Sequence, residues 1–256
     1  MKKMHILLTN DDGVHAEGLR VMYQALSKVG KVTVVAPDGE RSSISQAITL
    51  QHPIYHREII FQGRNKAHAV SGTPADCVKF AVAVLFKGRR PDMVVSGINH
   101  GSNDGCSVFY SGTVGAAREG ALLGISSLAV SLDCRSSRNF VQAANVGVRV
   151  LRKLAVTETP AGTFFNLNVP DVSSGQLRGI RFARQCRIPI HGEFRVRKDP
   201  AGRTYYWMTG RPPASGKETL SDSWLIKRGY AVVAPIHCDT TDHVFFNQTV
   251  SQKMEF

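Results

Sequence analysis

Asn10-Asp11-Asp12-Gly13 places two adjacent carboxylates directly after an apolar run, His5 to Thr9, that reads as a buried strand. Adjacent anions repel each other, and at the C-terminal edge of a central strand a bound divalent cation removes that repulsion. The same residues also suit an ordinary Asn-Asp-Gly turn, so the pair alone leaves metal site and turn both open. Three further loops are expected at the same edge. Ala36 to Ser43 offers hydroxyls and backbone groups, and Ser96 to Asn103 brings forward the carboxamides of Asn99 and Asn103. Tyr110-Ser111-Gly112-Thr113 falls where a helix should begin, so its amides and hydroxyls form an anion cradle that the helix dipole reinforces. Serine and asparagine also populate plain turns. It is the joint placement of these loops that favours chemistry.

Positioning them requires a frame, and the frame is written as short apolar runs alternating with helical patterns, the mark of βαβ units and a parallel sheet. After the first strand, Leu19, Met22, Tyr23, Leu26 and Val29 recur at helical spacing until Gly30, and Val32 to Ala36 follows as a strand. Thr73 then Pro74 reads as an N-cap and first helical residue, opening a helix toward Phe86. A strand at Met93 to Ser96, a loop from Gly97 to Gly105 and a helix from about Thr113 to Leu123 come next. Strands at Leu128 to Leu132 and Thr163 to Leu167 bracket a helix from Phe140 to Leu154. The fold class is therefore α/β, with a doubly wound, mainly parallel sheet.

Beyond Val169-Pro170 the chain turns arginine-rich and alternates Phe194, Val196 with Tyr205, Trp207 around Asp199-Pro200-Ala201-Gly202, a hairpin signal. A lone hairpin is marginal in water, so this one needs a packing partner. Tyr230 to Ala234 reads as a strand and Asp242 to Met254 as a terminal helix. The expected division is a catalytic domain over 1–185 and a hairpin with a C-terminal oligomerisation segment over 186–256, packed on the same body.

Composition narrows the function classes. A chain of 256 residues with 43% hydrophobic content can bury a sizeable core. Five widely spaced cysteines without a Cys-x-x-Cys pair indicate neither a disulfide framework nor a zinc cluster, which fits a reducing cytoplasm. No segment is apolar for long enough to span a bilayer. The formal charge is +12, and arginines and lysines crowd the stretch from Arg178 to Arg211. A polyanionic partner fits that field, but no sequence-reading module for nucleic acid is recognisable, so no specific nucleic-acid partner is expected.

Taken together, Leu7 to Gly13, Ala36-Pro37-Asp38, Ser71 to Val78, Ser96-Gly97-Ile98-Asn99 and Tyr110-Ser111-Gly112-Thr113 resemble the survival protein SurE family of nucleotidases. Ser221-Asp222, Gly229-Tyr230 and Pro235 to Thr241 resemble the family's closing segment. Two positions depart from the family pattern: Ser43 stands where glycine is usual, and Glu17 where proline often follows His-Ala. The resemblance implies a Rossmann-like fold and a phosphatase acting on nucleoside 5′- and 3′-monophosphates, with short-chain polyphosphate as a further substrate. It implies one divalent metal per subunit, Mg²⁺ or Mn²⁺, held by Asp11, Asp12, Ser42 and Asn99, with phosphate contacts from Asn103, Ser111, Gly112 and Thr113. It also implies a homodimer or homotetramer built through the hairpin and C-terminal segment.

Residue chemistry supports the ligand set independently, because two carboxylates, a hydroxyl and a carboxamide suit a hard cation better than zinc. The mechanism expected is in-line attack of water activated by the cation, with Asp11 or Asp12 orienting or deprotonating it. His15 and His100 are open as proton donors. A receiver-like signalling module is the rival reading, and it fails because Gly97 stands where its phosphoacceptor aspartate belongs. A dinucleotide oxidoreductase fails for want of a Gly-x-Gly-x-x-Gly after the first strand.

Overall fold

The computed structural model describes residues 3–134, 139–189, 191–211 and 218–251. Its strands are β1 (Met4–Thr9), β2 (Gly30–Pro37), β3 (His56–Ile60), β4 (Lys66–Val70), β5 (Met93–His100), β6 (Ser126–Asp133), β7 (Thr163–Pro170), β8 (Ile180–Phe182), β9 (His191–Lys198), β10 (Thr204–Arg211) and β11 (Ala231–His237). The helices are α1 (Glu17–Leu26), α2 (Pro74–Phe80), α3 (Gly112–Leu122), α4 (Phe140–Leu154), α5 (Asp222–Ile226) and α6 (His243–Ser251). Nine strands form one sheet in the order β3-β4-β2-β1-β5-β6-β7-β11-β8. From β4 to β7 every neighbouring pair is parallel, while β3 and β11 run antiparallel to β4 and β7.

Helices cover both faces, as a doubly wound sheet requires. On one face α1 and α4 bury Leu19, Met22, Leu26, Val146, Val150 and Leu151 against Ile6, Leu8, Val95 and Val130. Each such side chain stabilises the fold by roughly 1.5–3 kcal/mol. On the other face α2 and α3 cover Leu7, Val35, Val94 and Phe164 with Cys77, Val78, Ala116 and Ala117. The small residues of α3 let it lie close to the sheet: a Cβ on Gly120 would stand 2.3 Å from the Ser127 hydroxyl. Thr73 caps α2 in a full capping box with Asp76, and Pro74 takes the first helical position. That helix ends at Phe80 and passes into a wider π-type turn over Ala81–Leu85.

Chain order reverses between β1 and β5, so the ends of these two strands open a crevice at the topological switch point. Here the structure departs from the expected loop after Ser96. β5 continues to His100, paired with β6 through Asn99↔Ser131 and His100↔Leu132 after a register shift at Gly97/Asn99. Gly97 permits it: its φ is +135°, and a Cβ there would lie 2.2 Å from the Val130 carbonyl oxygen. A bulge of this kind re-aims the following side chains, and it delivers Asn99 to the crevice.

The hairpin β9–β10 pairs Phe194 with Met208 and Val196 with Tyr206, while Trp207 and Tyr205 stand opposite Arg195 and Arg197. The four apolar residues of the first set therefore share one face, and all are exposed. Helix α6 has no buried residue and presents Val244, Phe245 and Phe246 to solvent. Residues 252–254 of the expected terminal helix lie outside the described residues. Among the described residues no helix is long and apolar enough to cross a membrane.

Candidate functional site

Asp11 and Asp12 follow β1 in a turn whose shape is fixed by neighbours. The Asn10 carboxamide donates to Gly13 O at 3.0 Å, Val14 N–H donates to Pro37 O at 2.8 Å and Arg41 N–H to Asp11 O at 2.7 Å. Gly13 has φ +96°, and a Cβ there would lie 3.1 Å from the Gly39 carbonyl carbon, a conformation and a space that favour glycine. The loop after β2 is thereby stitched to the loop after β1.

The second half of that loop is clamped to the start of α3. Ser45 N–H donates to Tyr110 O at 2.8 Å, its hydroxyl donates to Phe109 O at 2.7 Å, and Gln46 donates to the buried Glu119 carboxylate at 2.8 Å. Lys79 pairs with Glu119 at 2.7 Å from the other side. Ser42 is left exposed at the rim, its hydroxyl donating to Glu40 at 2.6 Å. Ser43 next to it holds φ +57°, the left-handed region, without being glycine.

Asp11 is buried and sits on the first turn of α3. Thr113 N–H donates to Asp11 Oδ2 at 3.0 Å and the Thr113 hydroxyl donates to Oδ1. Gly112 is obligatory in this contact, because a Cβ there would lie 2.9 Å from Asp11 Cβ and 3.0 Å from Oδ2. Burial pushes the Asp11 carboxyl up despite these donors. Asp12 is half-buried; burial foremost, then the Asp11 charge, raise it to about 7, and Glu40 adds to the effect against a backbone hydrogen bond from His100.

Asn103 is held by β7. Its N–H donates to Asn168 Oδ1 at 2.7 Å, its carbonyl accepts from Asn166 Nδ2 at 2.7 Å, and its carboxamide donates to the Ser131 hydroxyl at 2.9 Å. Asn166 and Asn168 lie two apart on one face of an otherwise apolar strand and are fully buried. Sequence reading passed over both. The signal was available, since buried carboxamides at alternate positions of a central strand must find partners.

These pieces enclose one cavity of about 650 Å³, and Asp11, Asp12, Ser42, Asn99, Asn103 and Ser111 all line it. Of the expected phosphate contacts, Gly112 and Thr113 lie behind Asp11, where Thr113 is fully buried with its amide and hydroxyl spent on that carboxylate. Ser111 caps α3, its hydroxyl accepting from Val114 N–H at 3.2 Å. His100 lines the cavity and His15 does not. Tyr110, from the expected cradle, and Glu40, from the expected loop after β2, also line it, as do Gly192 and Met208 of the hairpin, which were not anticipated.

Among the described residues, the lining holds three carboxylates, Asp11, Asp12 and Glu40, together with His100, and no lysine or arginine. A phosphate monoester cannot be drawn to such a surface unless a cation offsets the charge. Among the described residues no three His, Cys, Asp or Glu side chains form a metal-holding group. The donor set that fits is mixed: the Asp11 and Asp12 carboxylates, the Ser42 hydroxyl and the Asn99 carboxamide oxygen. An all-oxygen set of this kind suits Mg²⁺ or Mn²⁺.

Fold and site together define an α/β protein with a polar, carboxylate-rich cavity at the switch point of a doubly wound sheet. The survival protein SurE family model matches residues 6–191. The chain is 42% identical to the 5′-nucleotidase SurE of Desulfatibacillum aliphaticivorans over 98% of this chain and 99% of that one. It is 43% identical to the 5′-nucleotidase SurE of Syntrophobacter fumaroxidans over 94% and 96%. The crystal structure of the SurE protein from Aquifex aeolicus superposes with a TM-score of 0.84 at 33% identity, covering 98% of this chain and all of that one. The chain belongs to the SurE family.

Proposed function

We propose that the protein is a divalent-metal-dependent 5′-nucleotidase that hydrolyses nucleoside monophosphates to nucleoside and phosphate. The carrying observation is the cavity itself, rich in carboxylate and, among the described residues, without lysine or arginine, whose substrate must nevertheless bring an anion. The two curated relatives named 5′-nucleotidase, each matched over more than nine-tenths of both chains, support the same reading.

Asp11, Asp12, Ser42 and Asn99 would hold the cation, Mg²⁺ or Mn²⁺, one per subunit. When bound it neutralises phosphate oxygens and makes water acidic enough to attack. Every other task falls to the chain. Thr113 and Gly112 fix the rotamer of Asp11, so that its position is set before substrate arrives. Asn103, pinned by Asn166 and Asn168, and Ser111 at the start of α3 present polar groups to the phosphate, assisted by the positive end of the helix. Asp11 or Asp12 would orient the attacking water or take its proton, as carboxylates that stay ionised beside the cation.

The finer assignments belong to the same proposal: acceptance of 3′-monophosphates and short polyphosphate, and a location in the cytoplasm. A homodimer or homotetramer is supported by the exposed apolar face of β9–β10 and by α6, which has no buried residue. The hairpin reaches the cavity through Gly192 and Met208, so assembly and substrate fit are linked. The division at 185/186 is proposed as a functional one, separating the residues that hold cation and phosphate from those that assemble subunits.

Phosphate release from a panel of nucleoside 5′- and 3′-monophosphates and polyphosphate, after EDTA and after return of Mg²⁺ or Mn²⁺, tests the reading. Metal-restored release from the 5′-monophosphates is expected. Folded protein that releases none under either metal overturns it.

A further inference from the structure

The end of the sheet opposite β3 carries a second feature that the nucleotidase reading does not use. β8 is the last strand, and five strand spacings separate it from β1, about 24 Å at ~4.8 Å each. A groove of about 640 Å³ lies against it, with Arg178, Arg181, Arg228, Phe182, Trp224 and Tyr230 in its lining. Among the described residues no carboxylate lines it. Arg178 and Arg181 both lie over the Tyr230 ring, at 5.1 and 5.5 Å, and Arg228 lies 3.5 Å over the Trp224 ring.

Among the described residues none of these three arginines is ion-paired, whereas Arg187 and Arg203 nearby in sequence have found Glu218 and Asp199. Three guanidinium groups collected in one groove repel each other. Stacking on rings offsets part of that cost; Arg228 spends one N–H on the Trp224 carbonyl at 3.2 Å, and the guanidinium groups keep further donors for an anion. Phe182 adds a flat ring, 68% exposed, at the same place. A polyanion with flat apolar units matches both features: phosphates for the guanidinium edges and a base for the ring. Inorganic polyphosphate would use the charges alone. A second copy of the chain would bring the same three positive charges to face these.

We infer that this groove is a sequence-independent binding site for single-stranded nucleic acid, separate from the acidic cavity, with phosphates on Arg178, Arg181 and Arg228 and a base stacked on Phe182. The formal charge of +12 supplies the long-range attraction. Because the groove needs no metal, it can be tested while the nucleotidase site is disabled.

The test is fluorescence anisotropy of a labelled octauridylate with full-length protein in EDTA at low salt, with the emission of Trp224 followed in a Trp207→Phe background. Binding that perturbs Trp224 is expected. Arg181→Ala with Arg228→Ala should weaken it at least tenfold and flatten its logarithmic salt slope by about 1.4. Phe182→Ala should weaken octauridylate about tenfold while leaving polyphosphate binding unchanged. Arg195→Ala with Arg197→Ala, on the hairpin, should leave the Trp224 response intact. Metal-restored phosphate release from mononucleotides, equal in all groove variants, serves as the control for folding. The inference is overturned if octauridylate does not bind, if the groove substitutions leave its affinity unchanged, if Phe182→Ala is without effect so that only charge is read, or if the same substitutions dissociate subunits in sedimentation.

Discussion

Replacing Asp12 by Asn should stabilise the metal-free protein while abolishing turnover. The Asp12 carboxyl rises from an ordinary 3.8 to about 7 through burial, the Asp11 charge and Glu40. A carboxyl raised in the folded state binds its proton more tightly there than in the unfolded chain. Its contribution to stability is therefore complete at and below the ordinary value and is lost as pH climbs through about 7. By pH 8 the whole difference opposes folding, a ceiling of about 4 kcal/mol at 1.36 kcal/mol per pH unit. Asp12 is half-buried, and solvent screening reduces this to about 2 kcal/mol. At ~2–4 °C per kcal/mol for a domain of this size, Asp12→Asn should raise Tm by about 4–8 °C in EDTA at pH 8. The carboxamide oxygen can still accept the His100 backbone N–H, so no donor is stranded. At pH ~3.5, below the ordinary carboxyl value, the advantage should nearly vanish, and added Mn²⁺ should favour the wild type. Thermal unfolding of both proteins at the two pH values, with and without metal, is the assay. A variant equal to or less stable than wild type at pH 8 in EDTA would refute the electrostatic account of the pair.

Gly112→Ala drives a methyl into Asp11 at 2.9 Å and should cost about 1–3 kcal/mol, with kcat falling far more than stability explains; steady-state kinetics beside thermal melts will show the split. Ser43→Gly relieves a left-handed backbone at φ +57° and should raise stability by roughly 0.5–1 kcal/mol, read by urea unfolding. Asn166→Ala removes the donor to the Asn103 carbonyl and should cost about 1–3 kcal/mol and raise KM for mononucleotides, whereas an unchanged KM would remove Asn103 from the phosphate contacts.

The catalytic core was legible where pattern and chemistry agree. α1 and α4 followed from helical periodicity, α2 from Thr73-Pro74, and the acidic turn from its place after a buried strand. β5 was read too short because Gly97 and Asn99 look like loop residues. Only the close approach of Val130 O to Gly97 shows why the strand tolerates glycine and continues to His100. β3 and β4 were missed because β3, His56 to Ile60, is an edge strand exposed along most of its length and lacks apolar alternation. β8 has three residues, too few for any periodicity, and its place depends on β11.

Site residues followed the same division. Asp11, Asp12, Ser42, Asn99, Asn103 and Ser111 line one cavity. Glu40 was passed over because a single acid in a polar loop carries no spacing signal. Thr113 was read as part of an anion cradle, and it does bind an anion, although the anion is the Asp11 carboxylate. Sequence could not show that the chain supplies its own occupant at this helix start. In the hairpin, the partners of Phe194 and Val196 are Met208 and Tyr206, because the pairing follows the turn at Asp199 and not the order in which aromatic residues occur.

The most direct test of the central claim is a titration of metal-free protein with Mn²⁺ in which bound metal and phosphate release from a nucleoside 5′-monophosphate are measured on the same samples. Release should rise in proportion to occupancy and saturate at one Mn²⁺ per chain, and Asp11→Asn, folded, should bind poorly and stay inactive. Release without bound metal, or tight binding undiminished in Asp11→Asn, would contradict the account.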